Sequence, residues 1–287
     1  MTNDDLQNTR ELRKNIFLAA YSCGGAAAHL ASAFSIVEIM YVLYMKGILK
    51  YRSGEPGWDG RDILVVSKGH ASLAAYAVLS MAGFFDKQEL FTFCGGETRL
   101  GGEPSMHLVP GVEASSAGSL GHGLSFGAGI AMANKMDNNS SKVYVIIGDG
   151  ECQEGTIWEA AMSAVRYGLD KLTVILDNNR IQKMGTVMDA MAVDSWENRW
   201  KAFGWHITRA GGHDTDSLLE AFENPAEKGK PRLIIADTVK GKGVSIMENN
   251  PDWHFKMPNK RELKTVVQEL GITGEELLNC RKHTCSR

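Results

Sequence analysis

A carboxylate and a carboxamide, thirty residues apart, are the side chains of this sequence best suited to bind a metal ion. Asp149 stands between two glycines after the apolar run 143–147, and Asn179 follows the apolar run 172–176. Oxygen ligands of these kinds suit Mg²⁺ or Ca²⁺, and Mg²⁺ completes its octahedron with water and phosphate oxygens. Glycine at position 150 lets a phosphate approach backbone N–H groups and the start of the following helix. The pattern predicts a metal-bound phosphate site.

Such a site requires two strands to end side by side. A strand–helix–strand unit with a right-handed crossover makes the two strands parallel, so that both finish at the same edge of the sheet. Open α/β sheets bind their ligands at that edge, outside the carboxyl ends of the strands. We therefore expect Asp149 and Asn179 to converge.

Short apolar runs alternate with amphipathic segments along most of the chain, a pattern typical of a parallel sheet covered by helices on both faces. The predicted strands are Ile63–Val66, Val143–Ile147, Leu172–Leu176, Trp205–Thr208 and Leu233–Ala236. The predicted helices are Thr9–Ser22, Ser35–Lys46, Ser72–Ala82, Gly123–Lys135, Gly155–Tyr167, Asp214–Glu223 and Lys260–Leu270. We expect one doubly wound, mostly parallel α/β domain over residues 1–258 and a C-terminal helical appendage over residues 259–287.

The composition argues against several other classes of protein. A net charge of −3 provides no electrostatic reason for a nucleic acid or an anionic membrane as partner. No apolar run reaches the ~20 residues that a membrane span needs. The five cysteines are an odd number and are scattered, which predicts reduced thiols and a cytoplasmic protein rather than a disulfide framework.

The Gly-Asp-Gly sequence followed thirty residues later by asparagine resembles the fingerprint of thiamine diphosphate-dependent enzymes. The resemblance implies that thiamine diphosphate is bound through Mg²⁺, for which Ca²⁺ or Mn²⁺ are expected to substitute. It also implies the metal ligands, which are Asp149, Asn179 and the backbone carbonyl of Ile181.

Further motifs resemble one family among these enzymes, the transketolases. Ser67–His70 is similar to a Ser-x-Gly-His motif of that family, and Asp149–Gly155 is similar to its Gly-Asp-Gly-x-x-Gln-Glu-Gly run. Pro110–Glu113 and Gly118–Gly121 resemble the loop that touches the thiamine ring. The last cofactor segment of the family is matched by Thr238–Gly243, followed by Glu248–Asn250 and by Trp253-His254. The order is the same from about residue 10 to residue 260, so the chain is identified as a member of this family, in its N-terminal, cofactor-binding part.

The resemblance implies roles for single residues. His29 and His254 would face the hydroxyls of the donor sugar and the reaction centre, and His70 would lie against the cofactor and the substrate channel. Neutral imidazoles exchange protons near pH 7, which ketol transfer requires. Glu154 resembles the acid that hydrogen-bonds across the subunit boundary toward a catalytic glutamate of the partner. The implied cofactor contacts are His70, Gly118, Ser119, Leu120, Asp149, Gly150, Asn179, Ile181 and His254.

The implied reaction moves a two-carbon ketol unit from a ketose to an aldose, with sugars or sugar phosphates as substrates. This chain of 287 residues resembles only the N-terminal half of a complete transketolase. The other half carries the glutamate that activates the cofactor's aminopyrimidine. We therefore expect a separately encoded C-terminal subunit, an α2β2 heterotetramer, and no activity of this chain alone.

Four departures from the family pattern bear on the substrate. Glu103 stands where a histidine that contacts the donor is usual, so Glu103 is a candidate substrate residue. The other departures are alanines at 26–28 and 31 around His29, His122 in place of glutamine, and Lys183-Met184 in place of Ile-Asp. Together they predict a non-standard or modified sugar.

Two other functions share part of this pattern. The α subunit of a 2-oxo acid dehydrogenase has the same Gly-Asp-Gly to asparagine spacing, but the Ser67–His70 and Pro110–Glu113 motifs argue against it. A paralogue that binds the cofactor only for regulation is the second alternative. The intact pair of Asp149 and Asn179 argues against loss of the cofactor, whereas Glu103 leaves this alternative open.

Overall fold

The computed structural model of the chain describes residues 1–24, 28–113, 119–193 and 195–282. The strands are β1 Ile63–Val66, β2 Val143–Gly148, β3 Leu172–Asn178, β4 Ile181–Gln182, β5 Gly185–Thr186, β6 His206–Gly211 and β7 Arg232–Asp237. The helices are α1 Asn3–Ser22, α2 Leu30–Phe34, α3 Val37–Met45, α4 Ser72–Met81, α5 His122–Met136, α6 Gly155–Arg166, α7 Val187–Ala190, α8 Trp196–Ala202, α9 Thr215–Glu223, α10 Lys260–Leu270 and α11 Gly274–Lys282.

Among the described residues, five strands form one parallel sheet in the order β1-β2-β3-β7-β6. These are the five strands that the apolar runs predict. The register pairs Gly148 of β2 with Asp177 of β3, and Asn178 of β3 with Asp237 of β7. The three central strands therefore end at nearly the same level, and the residues after them share one edge of the sheet.

Helices cover both faces of this sheet because alternate strand residues point to opposite sides. On β2, Val143, Val145 and Ile147 pack with α5, α6 and α8 in one apolar core. Tyr144 and Ile146 face the other core, which α1 to α4 and α9 complete. This arrangement confirms the predicted doubly wound α/β fold.

The N-terminal helix is longer than the sequence predicts. It begins at Asn3, because Thr2 and Asp5 form a capping box in which each side chain accepts the other's backbone N–H. Asp5 is buried and also contacts Lys46 and the Tyr41 hydroxyl. The start predicted at Thr9 is therefore wrong by six residues, since the polar first turn is held by specific partners rather than by an apolar stripe.

Two further boundaries differ from the prediction. The helix predicted over Ser35–Lys46 is divided, with α2 ending at Phe34 and α3 beginning at Val37. Ser35 at the break donates its hydroxyl to the buried carboxylate of Asp177, 2.8 Å away. The strand predicted over Trp205–Thr208 lies instead at His206–Gly211, because it pairs along the whole length of β7.

The segment after residue 258 folds into α10 and α11, which pack against α1. Val266, Leu270, Ile272 and Cys280 join the same apolar core as α1 to α4. These helices therefore complete one side of the core beside the sheet. No helix in the four described ranges is both long and apolar enough to cross a membrane.

Candidate active site

Asp149 and Asn179 come together at the carboxyl edge of the sheet. Asp149 is buried and follows β2, and its carboxylate accepts hydrogen bonds from the backbone N–H groups of Gly150 and Arg180. Asn179 follows β3, and its Oδ1 accepts the N–H of Ile181 at 3.1 Å. Asp149 thus contacts the backbone of the segment that holds Asn179 and Ile181. The convergence follows from the parallel register of β2 and β3.

The carboxylate of Asp149 is bound by backbone N–H groups rather than by a cationic side chain. Burial, with a further contribution from the negative charge of Asp177, raises the pKa of Asp149 to about 7. A divalent cation would reverse this shift. One carboxylate, one carboxamide and one backbone carbonyl form a donor set that suits Mg²⁺ when phosphate and water supply the other ligands. In the described residues no three His, Cys, Asp or Glu side chains group to bind a metal unaided.

Asp177 is a buried carboxylate near the end of β3 that binds side chains from several segments, and sequence reasoning did not identify it. The Lys68 ammonium forms an ion pair with it, and Ser35, Thr238 and Asn179 donate side-chain hydrogen bonds to it. Burial alone would raise the pKa of Asp177, but Lys68 and these hydrogen bonds outweigh burial, and the net shift is downward. Its position two residues before Asn179 is the only sequence signal.

Glu151 is a second buried carboxylate that sequence reasoning missed. It accepts hydrogen bonds from the Ser67 hydroxyl, from the Gly121 N–H at 2.8 Å and from the Gly148 N–H at 3.0 Å. Burial raises its pKa despite these donors. Gly123 packs so closely on Ser67 that a Cβ would lie 2.4 Å from the serine side chain, so only glycine fits there. Through these hydrogen bonds Glu151 connects the end of β1, the end of β2 and the start of α5.

Three histidines distant in sequence form one cluster. The ring centroids of His29 and His254 are 5.0 Å apart, those of His29 and His70 are 5.2 Å apart, and those of His70 and His254 are 5.9 Å apart. Burial, followed by nearby lysine charges, lowers the pKa of all three, strongly for His70 and to about 4 for His254. The three rings are therefore neutral near pH 7.

Hydrogen bonds fix the tautomers of two of these rings. Nδ1 of His29 lies 2.9 Å from the backbone carbonyl of His254, which can only accept, so this nitrogen carries the proton. Nδ1 of His254 lies 3.1 Å from the Lys240 ammonium, which can only donate, so the proton of His254 is on Nε2. His29 therefore offers Nε2 as an acceptor, and His254 offers Nε2–H as a donor.

Lys240 links the histidine cluster to the Asp149 edge. Its ammonium donates to the carbonyl of Ile181 at 3.0 Å as well as to His254. Burial, and then the charge of Lys68, lower the pKa of Lys240 to about 8. Lys240 lies inside the cofactor-like segment Thr238–His254, but no role was predicted for it.

Of the other residues predicted to contact the cofactor or the partner, the structure describes Ser119, Leu120 and Glu154. Ser119, Leu120 and Glu154 are exposed at the start of α5 and of α6, where Glu154 packs against Gly121. Gly118 lies outside the described residues, as do Ala26 and Ala27.

Glu103 is half-buried in a loop that α4 holds. Ser72 donates to the carbonyl of Gly102 at 2.8 Å, and the Tyr76 hydroxyl donates to the carbonyl of Gly101 at 3.0 Å. The loop is thus attached to the helix on both residues before Glu103. These bonds hold the backbone that carries Glu103 against α4.

Of the three remaining departures from the family pattern, His122 and Lys183-Met184 are exposed, whereas the described alanines are buried. His122 begins α5 and lies beside the carbonyl of Ser119 at 3.2 Å. Lys183 occupies the turn between β4 and β5, and its charge contributes to lowering the pKa of His29 and of His254. Ala28 and Ala31 are buried beside His29.

Comparison with known proteins places this arrangement in a family. Residues 17–286 match the family described as the thiamine diphosphate-binding domain of transketolase. The chain belongs to the transketolase family. The resemblance predicted from the sequence motifs is therefore confirmed.

Two relatives of the transketolase family match almost end to end. One is a subunit of an apulose-4-phosphate transketolase from Actinobacillus succinogenes, 38% identical over 258 residues, which cover 90% of this chain and 92% of the relative. The other is a 6-deoxy-6-sulfo-D-fructose transketolase subunit from Clostridium, 37% identical over 271 residues, which cover 94% and 98%.

The solved transketolase structures share the fold. The crystal structure of transketolase from Campylobacter jejuni superposes with a TM-score of 0.84 at 28% identity. The superposition covers 99% of this chain but only 46% of that one. This chain therefore corresponds to less than half of a solved transketolase, and to nearly all of the two relatives named as subunits.

Proposed function

We propose that this chain is the thiamine diphosphate-binding subunit of a two-subunit transketolase, which transfers a two-carbon ketol unit from a ketose to an aldose. The observation that carries the proposal is the convergence of Asp149 and Asn179 with three neutral histidines at one sheet edge of a transketolase-family chain. The family match disfavours the α subunit of a 2-oxo acid dehydrogenase.

The cofactor would be bound by the residues that Lys240 links, which are those around Ile181 and His254. Asp149, Asn179 and the carbonyl of Ile181 would bind Mg²⁺, with Ca²⁺ or Mn²⁺ as substitutes, because this donor set consists of hard oxygens. Lys240, which contacts Ile181, and His254, which contacts Lys240, would bind the diphosphate. A buried cation of this kind compensates phosphate charge without a solvent shell.

The histidines would accept protons from the sugar and donate protons to it in this reaction. Thiamine diphosphate supplies the carbanion chemistry when it is bound. His29 presents an unprotonated Nε2, which can accept the proton of a sugar hydroxyl. His254 presents a protonated Nε2, which can donate to a sugar oxygen. His70 completes the cluster, and its lowered pKa keeps the imidazole neutral.

A separate C-terminal subunit would cover this edge. Large apolar side chains are exposed around it, including Leu120, Phe126, Met184 and Phe255, of which Phe255 lies 4.7 Å from the ring of His29. Exposed apolar groups that border a site mark surfaces for protein partners. The two relatives named as subunits support a partner, and an α2β2 heterotetramer in the cytoplasm is the assembly we propose. Glu154, exposed beside Gly121, would face that partner.

The donor would be a sugar with an anionic substituent. The names of the two relatives specify a phosphate in one case and a sulfo group in the other. Glu103 and Lys183 would distinguish this donor from common ketoses, since both depart from the residues usual in the family and the charge of Lys183 acts on His254.

The test is assembly of the active enzyme from its two parts. We expect the isolated chain to show no ketol transfer, and turnover to appear when the C-terminal subunit is added. Asp149→Ala should abolish Mg²⁺-dependent binding of thiamine diphosphate in calorimetry, because the diphosphate charge would lose its cation. Asp137→Ala, at an exposed carboxylate after α5, is the matched control and should bind normally.

Three outcomes would contradict the proposal. Ketol transfer by the isolated chain would disprove the division into two subunits. Unchanged cofactor affinity in Asp149→Ala would remove the metal site from Asp149. Cofactor binding without turnover in the presence of the partner would favour the regulatory alternative.

A further inference from the structure

The carboxylate of Asp177 is surrounded by four side-chain donors from four segments of the chain. It lies near the end of β3 and is fully buried. Its oxygens accept hydrogen bonds or an ion pair from Ser35, Lys68, Thr238 and Asn179. One of these donors, Asn179, is a proposed metal ligand. Among its four donors, Asn179 is therefore the side chain that connects Asp177 to the proposed metal site.

The contacts of Asn179 determine which way its carboxamide is turned. Its Nδ2 lies 2.8 Å from Oδ2 of Asp177, and its Oδ1 lies 3.1 Å from the N–H of Ile181. A carboxylate paired with the Lys68 ammonium only accepts, and a backbone N–H only donates. Rotating the amide by half a turn would place Oδ1 against the carboxylate of Asp177, so that two acceptors face each other. It would also place the NH₂ group against the N–H of Ile181, so that two donors face each other. The network therefore permits one orientation.

We infer that Asp177 is the positioning residue that keeps Oδ1 of Asn179, and not its nitrogen, turned toward the metal site. This inference rests on the proposed function, since it assumes that a divalent cation binds beside Asp149. Only the oxygen of a carboxamide can bind a hard cation, because the amide nitrogen has no available lone pair. Residues that orient a metal ligand in this way contribute to metal affinity without touching the metal.

The same geometry explains why asparagine rather than aspartate stands at 179. A second carboxylate there would lie against Asp177, with only the Lys68 ammonium to compensate two buried negative charges. The Nδ2–H donor of Asn179 would be replaced by an oxygen that only accepts, so the contact that orients residue 179 would be lost. Aspartate binds Mg²⁺ well in general, so a loss of metal affinity in Asn179→Asp would be a specific signature of this arrangement.

The test uses the full chain with thiamine diphosphate in excess and Mn²⁺ as the probe, titrated by electron paramagnetic resonance. Asp177→Asn should weaken Mn²⁺ binding by about 10- to 100-fold, because an amide at 177 no longer enforces one orientation of Asn179. Asn179→Asp should weaken it similarly. The exchange variant, Asp177→Asn with Asn179→Asp, restores one amide and one carboxylate and should recover at least about tenfold of the loss.

A matched control separates orientation from general packing. Ser35→Ala removes one hydrogen bond from the same oxygen of Asp177 without touching Asn179. It should lower the thermal unfolding temperature of the metal-free chain while leaving Mn²⁺ affinity within about threefold, since the orienting contact is intact. Equal losses of Mn²⁺ affinity in Ser35→Ala and Asp177→Asn would overturn the inference.

The remaining outcomes are also decisive. If Asp177→Asn does not fold, the comparison of Asn179→Asp with the exchange variant decides, and no recovery in the exchange variant overturns the inference. Full Mn²⁺ affinity in a folded Asp177→Asn chain also overturns it. Failure of the unmutated chain to bind Mn²⁺ would instead contradict the proposed function, which is a distinguishable result.

Discussion

The ammonium of Lys240 lies 3.1 Å from Nδ1 of His254. Because an ammonium only donates, this contact places the proton of His254 on Nε2. Burial first, and then the charge of Lys240, lower the pKa of His254 to about 4. The same lysine donates to Ile181, so it fixes the protonation state of a proposed catalytic residue and contacts the proposed metal site.

Replacing Lys240 tests both of these effects. In Lys240→Met we expect the pKa of His254 to rise, because a neighbouring positive charge is removed. We also expect thiamine diphosphate affinity to fall about tenfold or more, the usual scale for losing one charged hydrogen bond. NMR titration of the histidine ring and calorimetry measure the two quantities. Lys242→Met, at a half-exposed lysine of the same segment that pairs with Glu248, is the control and should change neither.

The lowered pKa of His70 predicts a specific acid sensitivity of the cofactor-free chain. The folded state disfavours the imidazolium, so its contribution to stability is fully present above pH 6.5 and is lost as the pH falls below that value. His70→Gln should remove this loss. The difference in unfolding free energy between the unmutated chain and the variant should change by up to about 1.4 kcal/mol per pH unit below pH 6.5.

Urea unfolding at several pH values between 7.5 and 4.5 measures that difference. Asp149 acts in the opposite direction over part of this range, because its pKa is raised to about 7, but its effect is common to both chains and cancels. His107→Gln, at an exposed histidine, is the control. A flat difference curve for His70→Gln would show that burial of His70 does not disfavour its charged form.

Glu151 should be intolerant of an uncharged isostere. Three donors point at its carboxylate, from Ser67, Gly121 and Gly148. In Glu151→Gln the amide NH₂ must face one of them, so a buried donor is left unpaired at a cost of about 1–3 kcal/mol. Denaturant unfolding measures this loss. Glu154→Gln, at the exposed neighbour, should stay within about 0.5 kcal/mol, and an equal effect of both changes would contradict this role of Glu151.

Glu103 should take part in selecting the donor sugar. An ionised carboxylate only accepts hydrogen bonds, whereas the histidine usual in the family can donate. Glu103→His should therefore lower activity on the native donor and raise the relative activity on xylulose 5-phosphate, a discrimination that can reach ~10⁴-fold where a buried polar group is left unpaired. Steady-state kinetics with the assembled enzyme measure kcat/KM for each donor. Glu97→His in the same loop is the control. Identical selectivity of the two variants would show that Glu103 does not select the donor sugar.

Much of the fold could be predicted from local pattern alone. Four of the five strands of the sheet, β1, β2, β3 and β7, are built around apolar runs, and continuous apolar character is a direct consequence of burial on both faces. The edge strand β6 is more polar and only partly buried. Asp149 and Asn179 directly follow two of these strands, so the parallel geometry of a strand–helix–strand unit was enough to predict that they meet. The start of α1 was missed because a capping box depends on two polar residues rather than on apolar periodicity.

Local pattern and motif resemblance therefore specify the set of elements, the residues at their ends and the family. Tertiary structure alone decided which polar side chains are buried together. Thr238 meets Asp177 because β7 lies beside β3, and Lys68 reaches the same carboxylate from the end of β1, two strands away on the other side. No local pattern encodes this strand order. Likewise, Glu151 is buried and Glu154 is exposed although only three positions separate them. The reason is physical: a buried charge is stable only beside partners that other segments provide, and those partners exist only once the sheet is assembled.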